Sequence, residues 1–141
     1  MKISTRGRYG IRAMVDLASN NGKCKSIRSI AKSQGLSETY LEQLFMPLKR
    51  AGLIESIRGA QGGYRLNRPM EEITAGEILE VLEGSLYPTE CLSGHDDSGC
   101  GSHYCDTCVA KRLWATLYKQ SSDLLESVTL ADMVSDLENI K

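Results

Sequence analysis

The chain has 141 residues, of which 41% are hydrophobic and 25% charged. That composition excludes wholesale disorder, and the length suits one ordinary domain or one small domain plus an appendage. The net charge of −1 conceals a division: residues 1–68 hold 13 Lys/Arg against 4 Asp/Glu, and residues 69–141 hold 4 against 14, so the first half calls for an anionic partner.

In chain order, the spacing of Tyr9, Ala13, Met14 and Leu17 predicts a helix over residues 5–20, stopped by Asn20-Asn21-Gly22. Ser26 is the N-cap expected for a short helix from Ile27 to Gln34, and Gly35 fits the position just past its end, where positive φ costs little. Leu36 reads as a buried turn residue. Ser37 then caps a second helix, with Glu38 in its first turn and Leu41, Leu44, Phe45 and Leu48 as its apolar stripe. Pro47 lies inside that stripe, removes a backbone donor and predicts a kink or break. Gly52 ends the segment.

Helix, short glycine-containing turn, helix is the helix-turn-helix pattern. Leu53–Arg58 reads as a strand, Gly59–Gly63 as a loop and Tyr64–Leu66 as a return strand. A hairpin in that place is the wing of a winged helix, about residues 53–66. The glycines of its loop open a strand rather than a helix, so they do not form a nucleotide cradle. No catalytic acid, base or nucleotide motif is present, and an enzyme is not expected.

Thr74-Ala-Gly-Glu77 is a capping box before Ile78, Leu79, Val81 and Leu82, and Gly84 closes that helix. Residues 85–108 read as a loop rich in glycine and cysteine. A loop of that length in a small domain is usually functional or disordered. From Val109 a long helix carries Ala110, Trp114, Leu117, Ser121, Leu124 and Val128 at alternating spacings of four and three, a coiled-coil-like seam. Thr129-Leu-Ala-Asp132 caps a last short helix. The expected fold is mainly α with a small β-hairpin wing. It divides into a winged helix-turn-helix domain (1–84), a cysteine-rich loop (85–108) and a dimerisation helix with a C-terminal helix (109–141).

In a winged helix the second helix of the motif enters the major groove by its N-terminal end. The residues there are Ser37, Thr39, Tyr40, Glu42 and Gln43. Hydroxyl and amide groups can bond base edges, and Glu can accept from a cytosine amino group. For Tyr40 a phosphate contact and core packing are equally open. Arg58 opens the wing loop, within reach of a minor groove whose negative potential attracts guanidinium; Arg65 sits on the return strand. Lys2, Arg6, Arg8, Arg28, Lys49 and Arg50 are candidates for phosphate contacts, which position a protein without reading sequence.

No apolar run approaches the ~18 residues of a membrane span. Residues 1–6 lack the apolar core of a signal peptide. A cytoplasmic protein without a membrane partner is expected, and its five cysteines then point to metal or redox chemistry rather than structural disulfides. Cys24 stands alone and reads as a plain, partly buried cysteine. Cys91, Cys100, Cys105 and Cys108 cluster in the loop, with His95 and His103 between them as loop residues rather than ligands. Spacing leaves three chemistries open: an iron–sulfur cluster, which tolerates irregular intervals; a zinc site, for which only Cys105-x2-Cys108 forms a proper knuckle; and free thiols acting as a redox sensor.

Lys2-Ile-Ser-Thr-Arg-Gly-Arg-Tyr9, Tyr40-Leu-Glu-Gln-Leu-Phe45, Ile57-Arg-Gly-Ala-Gln-Gly-Gly-Tyr64 and Ile73-Thr-Ala-Gly-Glu77 together resemble the IscR/CymR-type family of bacterial winged-helix transcription regulators. The resemblance covers nearly the whole chain. It implies a homodimer on double-stranded DNA with a pseudo-palindromic operator. It also implies Ser37, Thr39 and Glu42 as base contacts and Arg58 as a minor-groove contact. Its cluster-binding, IscR-like branch implies a 2Fe–2S cluster: Cys91 matches the first ligand, Cys108 the last, and Cys100 or Cys105 the middle one. That branch completes its ligands with a His where this chain has Lys111, and a fourth cysteine stands here instead. The expected function is a dimeric regulator whose DNA affinity or site choice is controlled by the cluster. The alternative, nearer the cluster-free CymR branch, is a zinc- or thiol-controlled repressor of cysteine and sulfur metabolism genes acting with a protein partner.

Overall fold

The computed structural model describes residues 2–93 and 107–141. Each helix of its first half begins where a side chain can satisfy an orphan backbone N–H. α1 (Thr5–Ala18) starts after Ser4, α2 (Ile27–Gln34) after Ser26, and α3 (Glu38–Arg50) after Ser37, whose Oγ accepts the Tyr40 N–H at 3.1 Å. α1 ends two residues earlier than the sequence pattern implies, because the Ser19 hydroxyl donates to the Asp16 carbonyl and closes the last turn. Gly35 adopts φ +68° between α2 and α3, and Leu36 is half-buried against the core rather than fully inside it.

The break expected at Pro47 does not occur: α3 runs unbroken from Glu38 to Arg50. Proline costs this helix one hydrogen bond. Leu41, Leu44, Phe45 and Leu48, on both sides of it, are fully buried, and burial of each such side chain is worth about 1.5–3 kcal/mol. Packing therefore outweighs the local defect.

β1 (Ile54–Ile57) and β2 (Gly63–Leu66) form an antiparallel hairpin with Ile54 opposite Leu66 and Ile57 opposite Gly63. The strand pairing is shorter than the expected wing and leaves Leu53 and Arg58 outside it. Two hydrogen bonds of 2.8 Å between Lys25 and Tyr64 tie the root of the hairpin to the α1–α2 connection. At Gly63, with φ +151°, a Cβ would lie 2.2 Å from the Lys25 carbonyl oxygen, so this approach admits only glycine. Phe45 meets Tyr64 edge to face at 5.1 Å, which fixes the wing against α3.

α4 (Ala75–Glu83) opens with the capping box of Thr74 and Glu77. A 3-10 turn, Glu90–Leu92, precedes α5 (Val109–Ser127), and α6 (Leu130–Ile140) follows a second reciprocal cap between Thr129 and Asp132. Although α6 adjoins α5 in sequence, its Leu130 and Val134 lie in the same core as Met14, Ile30, Phe45 and Ile78. The Ala75 N–H to Val128 and Leu130 N–H to Ile73 bonds, both 2.8 Å, hold it there. α5 contributes no buried residue. Its half-buried side, with Trp114, Tyr118, Ser121 and Leu125, is the inner one, while Val109, Leu113, Leu117 and Leu124 are exposed. The outward apolar row overlaps the expected seam in part: Ala110, Leu117 and Leu124 are exposed beside Val109 and Leu113, whereas Trp114, Ser121 and Val128 are half-buried. A periodic pattern marks a stripe but not which edge of it the protomer covers.

Candidate nucleic-acid interface

Ser37, Thr39, Glu42 and Gln43 are exposed at the start of α3. The Ser37 hydroxyl is engaged as N-cap through its acceptor oxygen, and an oxygen acceptor in that role keeps its O–H free to donate. Tyr40 is half-buried and packs edge to face on Tyr9 at 6.2 Å. The contact also brings the start of α1 beside the start of α3. Arg12 lies over the other partner, 5.7 Å from the Tyr9 ring, a cation–π contact.

Glu42 faces the wing root. Burial first, and then the Glu42 charge, push the Tyr64 phenol above its ordinary pKa. Arg58 is exposed at the end of β1 and, like Lys2, Arg6, Arg8, Arg28 and Lys49, makes no ion pair among the described residues. Arg50 is exposed and reaches the Met46 sulfur at 3.3 Å. Arg65 differs: its guanidinium is paired with Glu55 on the opposite strand, so it is the least available of the candidates.

A network that no sequence pattern announced lies between α1 and α2. Asp16 accepts from Lys25 Nζ at 2.5 Å, from the Ser33 hydroxyl, and from Gln34 Nε2 at 3.2 Å. It joins α1 to α2 and to the strand-like segment that holds the wing. The available signal was charge: Asp16 is one of 4 acids among 13 cations in residues 1–68. Burial pushes its carboxyl up, but the hydrogen bonds from Lys25, Ser33 and Gln34 and the Lys25 charge outweigh this and hold it below the ordinary aspartate range. A lowered folded pKa stabilises the fold above the unfolded value, about 3.9, and that contribution disappears as pH falls through the folded value. Thermal melts between about pH 5 and pH 2 are therefore expected to fall more steeply for the wild type than for Asp16→Asn, which starts lower. Parallel curves would contradict this.

Of the four clustered cysteines, Cys91 and Cys108 are described, and both are free thiols. Cys91 lies half-buried in the 3-10 turn, with its Sγ 3.0 Å from the Thr89 hydroxyl. Cys108 is exposed at the N-cap of α5, and its side chain makes no capping bond. The 3-10 turn that carries Cys91 packs on α5, the helix that Cys108 begins. Cys100 and Cys105, with His95 and His103, lie outside the described residues. Cys24 is half-buried before the Lys25 bridge. Among the described residues no three Cys, His, Asp or Glu side chains gather as a metal site, and no helix is long and apolar enough to cross a membrane.

The model of the Rrf2 family, described as iron-dependent transcriptional regulators, matches residues 3–136. The chain belongs to the Rrf2 family of transcriptional regulators. It is 43% identical to the HTH-type transcriptional regulator CymR of Bacillus subtilis over 96% of this chain and 91% of that one. It is 37% identical to the regulator IscR of Vibrio vulnificus over 100% and 82%. The solved structure of T. potens IscR superposes with a TM-score of 0.80 at 44% identity, covering 100% of this chain and 91% of that one. The family assigns the fold as a winged helix and the class as DNA-binding regulator, not enzyme. Both branches are represented among these relatives, so kinship alone does not choose between them.

Proposed function

We propose that this Rrf2 regulator binds a pseudo-palindromic operator as a homodimer and that an iron–sulfur cluster on residues 91–108 tunes its DNA affinity or site choice. The observation that carries the DNA part is the shared exposure of Ser37, Thr39, Glu42 and Gln43 at the start of α3, of Arg58 at the wing, and of Lys2, Arg6 and Arg8 at the start of α1. The dimer draws on α5. Leu113 and Leu124 are 59% and 62% exposed and Val109 87%, an apolar row that a second copy of this helix would cover. Two α3 helices then meet half-sites about one helical turn apart, ~34–36 Å.

The cluster reading rests on donor chemistry. Free thiols suit iron–sulfur ligation, and Cys108 stands at a helix N-terminus, which favours a negatively charged group. Cys91 and Cys108 would hold the cluster from its two sides, with Cys100 and Cys105 as the remaining thiols. When bound, such a cluster supplies sensitivity to iron supply and oxidants. The chain's own part is mechanical: the arm to Cys91 and the helix begun by Cys108 are pressed together, so a ligand between them biases how α5 sits. A tenfold change in affinity needs only ~1.4 kcal/mol of such coupling. A cluster-free reading, in which zinc or the bare thiols set the affinity, draws on the same two free sulfurs.

Protein purified without oxygen is expected to be coloured and to contain iron and sulfide. Cys91→Ala and Cys108→Ala are expected to lose both while still folding. Colourless, iron-free wild type with bound zinc or none would replace the cluster reading with the second one.

A further inference from the structure

We propose that Glu83 is a positioning residue for DNA binding: it anchors the basic start of α1 from behind and joins it to the cysteine arm. The proposal rests on the DNA-contacting role of the Lys2–Arg8 segment given above. Glu83 is the last residue of α4. Its Oε1 accepts three hydrogen bonds from a segment 79 residues away in sequence: from the Ser4 N–H at 3.1 Å, the Ser4 hydroxyl at 2.5 Å and the Gly7 N–H at 3.0 Å. The fit is close, since a Cβ on Gly7 would lie 2.2 Å from that oxygen.

The first turn of α1 needs such an acceptor. Its N–H groups have no partner within the helix, and the helix dipole favours negative charge there. Yet that turn holds no acid; it holds Arg6 and Arg8. An acid within it would set negative charge beside cations meant for phosphates. Glu83 supplies the carboxylate from the α4 side instead, leaving Lys2, Arg6 and Arg8 exposed. The Tyr9–Tyr40 contact then holds the next turn of α1 against the start of α3. Together these contacts fix three cations relative to the recognition helix.

The same residue begins the arm to Cys91. Gly84 turns the chain with φ +78°, and Tyr87 stacks on Tyr118 of α5 at 4.5 Å. The arm is therefore pinned at one end to α1 and in the middle to α5. A shift of α5 or of the arm acts directly on the residue that holds the N-terminal cations.

The test is fluorescence anisotropy with a fluorescein-labelled mixed-sequence DNA duplex over a salt series, using full-length wild type, Glu83→Ala, Glu83→Gln and Ser4→Ala, each with a thermal melt. Glu83→Ala is expected to bind more weakly, with a salt slope shallower by about 0.9 for each phosphate that the displaced cations no longer reach. Glu83→Gln, whose amide oxygen accepts the same bonds, is expected to restore the slope. Ser4→Ala removes the hydroxyl that both donates to Glu83 and caps α1, is expected to give a smaller effect in the same direction, and decides the matter if Glu83→Ala does not fold. A purely structural role would lower the melting temperature and leave the slope of the folded protein unchanged. Variants that bind with the wild-type slope and affinity below their melting temperatures overturn the proposal. Wild type whose binding ignores salt would overturn the DNA-face reading itself, and this proposal with it.

Discussion

Phe45→Ala is expected to destabilise the protein by about 3–5 kcal/mol, a large share of the 5–15 kcal/mol typical of a domain. Phe45 is fully buried, belongs to the central core, and is the α3 side chain that meets Tyr64 of the wing. Removing the ring leaves a cavity between α3 and β2. It also takes away an edge-to-face pair worth about 0.5–1.5 kcal/mol beyond its buried area. Urea unfolding should show a lower midpoint with an unchanged slope. Because the same ring aligns recognition helix and wing, the fraction that stays folded should bind DNA less tightly as well. A loss under about 1 kcal/mol would mean that the core closes over the gap and that Phe45 does not hold the wing.

Raising salt from about 50 to 200 mM is expected to weaken DNA binding by about a thousand- to a hundred-thousand-fold if a pair of protomers makes six to ten phosphate contacts. Lys2, Arg6, Arg8, Arg28, Lys49 and Arg50 are all exposed. Arg65 should add little, because Glu55 already occupies it. Arg58 is expected to behave differently from the phosphate set. Arg58→Ala should cost about 1–3 kcal/mol on the preferred site and relax preference at one position, whereas Lys49→Ala should weaken every duplex alike. Binding titrations on a preferred and a scrambled duplex separate the two. A flat salt response would contradict the view of residues 1–68 as an anion-binding face. Uniform weakening by Arg58→Ala would reduce that residue to a phosphate contact.

The arm to Cys91 and the proposed DNA face are connected through α4. Its first residues are tied to the α5–α6 connection through Thr74 and Thr129, and its last residue is bonded to α1. Arg68 reinforces the first of these ties, bonding the Glu77 carboxylate at 2.8 Å and the Glu72 carbonyl at 2.7 Å. With the Arg68 bond outweighing burial, the Glu77 carboxyl lies below its ordinary range. The arm that carries Cys91 and the segment that carries Lys2, Arg6 and Arg8 thus meet at one short helix, so the control proposed above would need no long communication path.

Sequence by itself determined the local structure. Ser26, Ser37, Thr74 and Thr129 each satisfy a backbone N–H within three residues, so residue type and spacing sufficed to place four helix starts. The separation of basic and acidic halves, the glycine between α2 and α3 and the hairpin after α3 were legible for the same reason: each is a property of neighbours in the chain. Only the tertiary structure decided the rest. Whether α3 survives Pro47 depends on how much apolar surface its flanks bury against other elements. Which edge of α5 faces outward depends on where α4 and the 3-10 turn press against it. The partners of Asp16 and Glu83 lie as far as 18 and 79 residues away, and no local pattern names a partner at that distance. Such pairs exist because packing first brings two elements together, after which a buried or half-buried charge must be matched by whatever donors the neighbouring element presents.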